Sequence, residues 1–66
     1  MDVVINGENR NVTPGATLLQ VLQELDLDPR AVVVELNRRI VRRPVLGDVT
    51  VSAGDAIEVV NFVGGG

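Results

Sequence analysis

The sequence of 66 residues contains no cysteine, histidine, lysine, tryptophan or tyrosine, and Phe62 is its only aromatic residue. These absences remove most of the side chains that act as a nucleophile or general base near neutral pH. A zinc site needs cysteine or histidine ligands, so this kind of site is excluded as well. Only hydroxyls and carboxylates remain, with no imidazole or amine to activate a hydroxyl. We therefore expect that the chain is not an enzyme by itself.

The small size of the chain limits how it can be stabilised. It has room for one domain, and a domain of this size buries only about 60% of the surface that its unfolded chain exposes. Disulfides and structural zinc, the usual supports of such domains, are both missing. Hydrophobic residues make up 45% of the chain, and 14 of them are valine. Stability must come from an apolar core, from partner binding, or from both.

The charge and the targeting signals of the chain predict an ordinary soluble protein. Six arginines against nine acidic residues give a net charge of -3, which disfavours nucleic-acid binding. The apolar runs are a few residues long, whereas a membrane-spanning helix needs roughly 20. The sequence begins without a basic and apolar leader, and the lack of cysteine fits a reducing compartment. We expect a cytoplasmic location, with no nucleic acid and no membrane as partner.

The first residues predict a β-hairpin. Positions 1–5 are apolar except for Asp2 and mostly β-branched, and they are followed by Asn6-Gly7; both turn residues tolerate the positive φ of a type I′ turn. A polar return strand follows over residues 9–13, and its composition is typical of a sheet edge. Pro14-Gly15 then ends the strand.

A single short helix is predicted over residues 17–26. Thr17 and Gln20 have the spacing of a capping box, in which each side chain bonds the backbone N–H of the other. The apolar residues that follow recur at helical spacing and form one face. Asp28-Pro29 ends the segment, because the residue before a proline is biased away from the helical conformation.

The second half predicts three further strands. Residues 31–36 form an almost continuous apolar run, which is typical of an interior strand covered on both faces. A turn at Asn37-Arg38 leads to a short strand over residues 39–41, an irregular stretch follows, and residues 56–63 form the last strand. The expected fold class is α+β, with a mixed sheet of four to five strands and one helix packed across it. A parallel pairing of the first and last strands would make it a β-grasp.

The glycines that end the sequence are its most informative feature. We divide the chain into a domain of residues 1–63 and a flexible tail of Gly64, Gly65 and Gly66. At an average glycine usage of about 7%, two terminal glycines arise by chance in roughly 0.5% of chains. One interpretation is that the tail has no function. The other is that the tail, which lacks side chains, passes in an extended form through a narrow channel to the catalytic groups of another enzyme. In the second case the α-carboxylate of Gly66 is the reacting group, and a partner enzyme must activate it, for instance as a mixed anhydride with AMP.

Strand alternation predicts an exposed apolar surface next to this tail. If Ile57 and Val59 face the helix, then Val60 and Phe62 lie on the open face of the sheet. Phe62 then either packs over the sheet edge or, with Val60, forms a docking site for a partner.

Four of the six arginines, Arg38, Arg39, Arg42 and Arg43, lie within six positions. One interpretation is a solvated turn, and the other is a docking patch for an acidic partner surface. Nucleic-acid binding is the weakest interpretation, because no stacking aromatics accompany the arginines.

Three segments give the chain a resemblance to a known family over its whole length. They are Val34-Glu35-Leu36-Asn37 leading into Ile40-Val41-x-Arg43, then Gly54-Asp55-Ala56-Ile57-Glu58-Val59-Val60, then Val63-Gly64-Gly65-Gly66. On these residues the chain resembles the ThiS/MoaD group of ubiquitin-like β-grasp proteins, and within it the ThiS sulfur carriers of thiamine biosynthesis. The last two segments together are the most specific part of the resemblance.

The resemblance implies a mechanism that depends on partner enzymes. A ThiF-like adenylyltransferase would use ATP and magnesium to adenylate the Gly66 carboxylate, while the chain itself binds no cofactor or metal. A sulfur-transfer protein would supply persulfide sulfur, which leaves a thiocarboxylate on Gly66 for a ThiG-like thiazole synthase. Gly64 and Gly65 would thread the tail, and Val60 and Phe62 would lie on the recognition surface.

Three alternatives stay open at this point. The small subunit of molybdopterin synthase uses the same terminal chemistry, but those proteins are generally longer and often carry prolines where this chain has Asn61-Phe62. A sulfur carrier of another pathway is the second. The third is a non-catalytic β-grasp interaction module whose tail is inert.

Overall fold

The computed structural model describes residues 1–62, which form a mixed sheet with an α-helix packed across one face. The strands are β1 (Asp2–Ile5), β2 (Glu8–Asn11), β3 (Val32–Leu36), β4 (Arg39–Val41) and β5 (Ala56–Asn61), and the helix is α1 (Leu18–Glu24). Two 3-10 helices, Pro29–Ala31 and Arg43–Asp48, complete the described elements. The expected α+β class with a ubiquitin-like β-grasp sheet is confirmed, and the described sheet has five strands.

The strand order β2-β1-β5-β3-β4 places β5 in the middle of the sheet. β5 is parallel to β1, with Val4 opposite Ala56 and Ile5 opposite Ile57, and it is antiparallel to β3. The predicted parallel pairing of the first and last strands is therefore confirmed. The remaining pairs, β1 with β2 and β3 with β4, are antiparallel hairpins.

Both hairpins turn through two residues with positive φ. Asn6 and Gly7 have φ of 51° and 82°, as a type I′ turn requires. Asn37 and Arg38 repeat the pattern between β3 and β4, with φ of 50° and 71°. The return strand of the first hairpin, Glu8–Asn11, begins one residue before the predicted residues 9–13 and ends two residues earlier, although the Val12 N–H still donates to the Met1 carbonyl at 2.8 Å.

The amino-terminal end of α1 has the predicted capping box. The Gln20 N–H donates to Thr17 Oγ1 at 3.2 Å, and the Thr17 N–H donates to Gln20 Oε1 at 2.9 Å. The helix is shorter than the predicted residues 17–26, because Leu25 caps its end and Asp26 has a φ of 62° that turns the chain away.

The core lies between α1 and the sheet face that it covers. Leu18, Val21 and Leu22 of the helix are buried against apolar side chains of the strands. Leu46 is also buried, at 2% exposed, and it comes from the 3-10 helix Arg43–Asp48, a part of the chain that the sequence pattern indicated only as irregular. This second helical segment extends the helical layer beside α1.

Two strand predictions need correction. The run over residues 31–36 was expected to be covered on both faces, but Val33 is 41% exposed while Val32 and Val34 are buried. In residues 1–62 the helical layer lies on one side of the sheet, so β3 is interior in strand order and open on one face. The last strand ends at Asn61 rather than at residue 63. The predicted boundary between domain and tail lies outside the described residues.

Candidate functional site

β5 presents one apolar face to the core and another to solvent. Ile57 and Val59 are 1% and 9% exposed, whereas Val60 and Phe62 are 58% and 42% exposed. The alternation predicted from the sequence is therefore confirmed. The docking role that we assigned to Val60 and Phe62 stays a prediction.

A third residue joins this exposed surface from the neighbouring strand. Val33 of β3 lies directly opposite Val60, and Val33 and Phe62 line the same groove, which has a volume of about 450 Å³. We call Val33, Val60 and Phe62 the open-face patch. An exposed apolar cluster of this kind is typical of an interaction site. Val33 was not among the predicted site residues, because its exposure depends on which face of β3 the helical layer covers.

Two asparagine side chains fix β5 from its two sides. Asn6 donates from Nδ2 to the Val59 carbonyl at 3.1 Å and accepts from the Val59 N–H at 2.8 Å. The Asn37 Oδ1 accepts from the Ala56 N–H at 2.9 Å, and the backbone N–H of Asn37 donates to the Ala56 carbonyl at 2.7 Å. β5, which carries Val60, is thus held by side-chain bonds in addition to its two strand partners.

The carboxyl end of β5 is attached to the segment that precedes β3. The Phe62 N–H donates to the Ala31 carbonyl at 3.1 Å, and Ala31 ends a 3-10 turn whose amino terminus is capped by Asp28. The Asp28 carboxylate accepts from the Arg30 backbone N–H and from its guanidinium, at 2.9 and 3.1 Å. The hydrogen bond from the Arg30 side chain is the largest cause, and the bond from the Arg30 backbone N–H is the next, of a pKa of Asp28 below its ordinary value. Hydrogen bonds therefore hold the backbone in place as far as Phe62.

The four clustered arginines are all exposed. Within residues 1–62 the ion pairs are Arg10 with Glu8 and Arg30 with Asp28, so the cluster contributes to neither. β4 and β5 run in the same direction, since both are antiparallel to β3. Arg42 and Arg43 follow β4 and consequently lie at the same end of the sheet as Phe62, where they line one groove with it.

No group of three or more histidine, cysteine, aspartate or glutamate side chains in residues 1–62 could hold a metal ion. None of the helices described is long and apolar enough to cross a membrane. The predicted reacting residue Gly66 and the threading residues Gly64 and Gly65 lie outside the described part of the chain.

Comparisons with known proteins agree on one family. The sequence model of the ThiS family matches residues 3–66. The crystal structure of a thiamine biosynthesis protein (ThiS) from Geobacter metallireducens has a TM-score of 0.86 at 32% identity, over 100% of both chains. A solution NMR structure of a thiamine biosynthesis protein from the same organism gives 0.82 at 32% identity, over 100% of this chain and 88% of the other.

Two longer proteins are also similar to the chain. Thiazole synthases of Paramagnetospirillum magneticum and Magnetococcus marinus are 46% and 42% identical to it over 66 residues. The match covers all of this chain and 20% of each relative. The chain therefore spans about a fifth of the length of these relatives.

Proposed function

We propose that this chain, which belongs to the ThiS family, carries sulfur for the formation of the thiazole ring in thiamine biosynthesis. The observation that carries the proposal is the full-length likeness to the thiamine biosynthesis protein (ThiS) of Geobacter metallireducens. The chemistry of the sequence supports it, because a chain without cysteine, histidine or lysine suits a protein that other enzymes modify. It acts as a protein-bound co-substrate, not as an enzyme.

The reacting group in this proposal is the α-carboxylate of Gly66. A ThiF-like adenylyltransferase transfers AMP from ATP to the carboxylate, with magnesium on the partner enzyme, and pyrophosphate leaves. The terminal sulfur of a persulfide on a sulfur-transfer protein then attacks the Gly66 carbonyl carbon and displaces AMP, which gives an acyl disulfide. A thiol cleaves the S–S bond, leaving a thiocarboxylate on Gly66 and a disulfide. Since this chain has no cysteine, the thiol and the persulfide both belong to partner proteins.

The product is delivered to a ThiG-like thiazole synthase. The similarity of the whole chain to a fifth of two thiazole synthases supports this partner, because in those proteins a segment like this one shares a polypeptide with the synthase. The dependence on ATP and on thiols supports a cytoplasmic location for the proposed reactions.

The open-face patch recognises the activating partner in this proposal. Val60 on β5 and Phe62 just after this strand are exposed, so a partner that buries them is well placed to receive Gly64, Gly65 and Gly66. Glycines suit this path because a backbone without side chains can approach catalytic groups closely.

A second candidate function is a β-grasp module that binds a thiazole synthase without tail chemistry. It is favoured by the same similarity to the two longer thiazole synthases, in which the matching segment is part of a larger chain. The thiamine-related names of the similar proteins give no comparable support to the molybdopterin alternative or to a carrier of another pathway.

Variants of the tail separate these candidates. The full chain, a variant lacking Gly66 and a variant with one alanine added after Gly66 are incubated with ATP, magnesium and the cognate activating enzyme, and pyrophosphate release is measured. If the chain is a sulfur carrier, both variants lose pyrophosphate release. If it is a binding module, both variants keep their affinity for the thiazole synthase. Unchanged pyrophosphate release with the extended tail would contradict the assignment of Gly66.

A further inference from the structure

We propose that the free edge of β4 is a docking site for an extended segment of another protein in which apolar and acidic residues alternate, and that this segment adds to the sheet as a further strand. β4 is the last strand in the order of the described sheet. The groove beside this edge shares Ile40, Val41, Arg42 and Pro44 with the groove lined by Val33 and Phe62, and the proposal requires no reaction at Gly66.

The hydrogen-bonding groups of Ile40 are directed toward this edge. Leu36 and Arg39 flank a two-residue turn, so they form a hydrogen-bonded pair, and the next pair, Glu35 with Ile40, is the non-bonded type. The N–H and C=O of Ile40 therefore point away from β3. Neither group bonds to any other backbone group among the described loops and turns. An added strand can satisfy both of them, as in other cases of strand addition.

An apolar groove runs beside the same edge. It has a volume of about 620 Å³, and the apolar residues among its lining are Leu36, Ile40, Val41, Pro44, Val45 and Val49. Ile40 is 66% exposed, the highest value among the large hydrophobic residues described, and Val45 is 43% exposed. Alternate side chains of an added strand point to one face, so every second residue of the segment would enter the groove.

The charges around the groove define the occupant. Arg39 and Arg42 line it, Arg38 and Arg43 are their neighbours in sequence, and none of the four forms an ion pair with residues 1–62. A second copy of the chain is disfavoured, because pairing two β4 edges would bring arginines against arginines. Positive side chains on a short edge strand commonly prevent this kind of self-association. The same charges attract a segment that carries aspartate or glutamate.

Binding at this edge does not involve β5. β3 lies between β4 and β5 in the sheet, so a segment that pairs with β4 does not pair with the strand that leads to the tail. A protein that holds the carrier by this edge can therefore do so while another enzyme engages Gly66.

The test is an NMR titration of the full, isotope-labelled chain with a short synthetic peptide in which valine and isoleucine alternate with aspartate and glutamate. We expect saturable shifts at residues 39–42 and slower hydrogen exchange of the Ile40 amide. A peptide with lysine in place of the acidic residues tests the role of charge. A peptide with N-methyl groups on alternate amides tests strand addition. Both peptides should bind at least about tenfold more weakly than the acidic peptide.

Matched variants on the two sheet edges complete the test. Arg39→Glu combined with Arg42→Glu should weaken binding of the acidic peptide by about tenfold, while Arg10→Glu on β2, the opposite edge, should leave it unchanged. The spectrum of each free variant establishes that it is folded. The proposal is overturned if no shifts occur at residues 39–42, or if the charge reversal or N-methylation has no effect. A failure here leaves the sulfur-carrier proposal intact, because the titration uses no activating enzyme.

Discussion

The carboxamide of Asn6 forms two hydrogen bonds with the backbone of Val59, at 3.1 and 2.8 Å. Backbone bonding between β1 and β5 ends where the Asn6 N–H donates to the Ile57 carbonyl at 2.9 Å. The side chain therefore continues the parallel pairing beyond the end of β1, toward Val60. A single turn residue thus supports both the first hairpin and β5, the strand that carries Val60 of the open-face patch.

Replacing Asn6 by aspartate tests this relationship. The change keeps the size of the side chain but removes the N–H donor and leaves the Val59 carbonyl facing a carboxylate oxygen. We expect the free energy of unfolding to fall by about 1–3 kcal/mol, as measured by urea denaturation followed by circular dichroism at pH 7. Asn9→Asp makes the same change on exposed β2 and should have little effect. An Asn6→Asp protein as stable as the parent would refute the proposed support.

The capping box of α1 predicts a second stability effect. Thr17→Ala removes the oxygen that accepts from the Gln20 N–H and should cost about 1 kcal/mol. Thr17→Ser keeps a hydroxyl at the same place and should retain most of the stability. Thermal unfolding followed by circular dichroism compares the two, and equal losses would show that the hydroxyl bond is not the cause.

Phe62 should matter for binding more than for folding. It is 42% exposed, so Phe62→Ala should change the unfolding free energy little while weakening affinity for the activating enzyme at least about tenfold. Gln23→Ala, exposed on the helical side of the sheet, is the matched control. Calorimetric titration of both variants measures the affinities. Unchanged affinity for Phe62→Ala would remove the open-face patch from the account.

The pKa of Asp28 can be followed directly by NMR. It should lie below the ordinary value because the Arg30 side chain and then the Arg30 backbone N–H bond the carboxylate. Arg30→Ala should raise this pKa only part of the way to the ordinary value, since the backbone bond remains. Because the pKa of Asp28 is lower in the folded state, the contact stabilises the protein at pH values above the pKa of Asp28 in the unfolded chain. This stabilisation is lost as the pH falls through the pKa of the folded state. The same pKa with and without the Arg30 side chain would contradict this cause.

Features that depend on neighbouring residues could be predicted from the sequence. The Asn6-Gly7 turn, the cap at Thr17 and the alternation between Val59 and Val60 each follow from a few adjacent positions, and the structure has all three. The position of Phe62 on the exposed side follows from the same alternation.

Features that depend on distant parts of the chain could not be predicted. Nothing in the run around Val33 reveals that the helical layer covers one side of β3, so its exposure was missed. Leu46 lies in a stretch that the sequence indicated only as irregular. Its burial could not be predicted because it depends on packing beside α1. The place of Val33 in the open-face patch likewise depends on its pairing with Val60, which is remote in sequence.

The central claim is that Gly66 carries the transferred sulfur, and intact-mass spectrometry tests it most directly. The chain is incubated with ATP, magnesium, a sulfur source and the cognate activating enzyme, and the product is fragmented. The account predicts a mass increase for one oxygen replaced by sulfur, localised to Gly66 and trapped by an alkylating reagent. Localisation is required because oxidation of Met1 gives nearly the same shift. An unmodified Gly66, with an enzyme shown to be active on another carrier, would contradict the account.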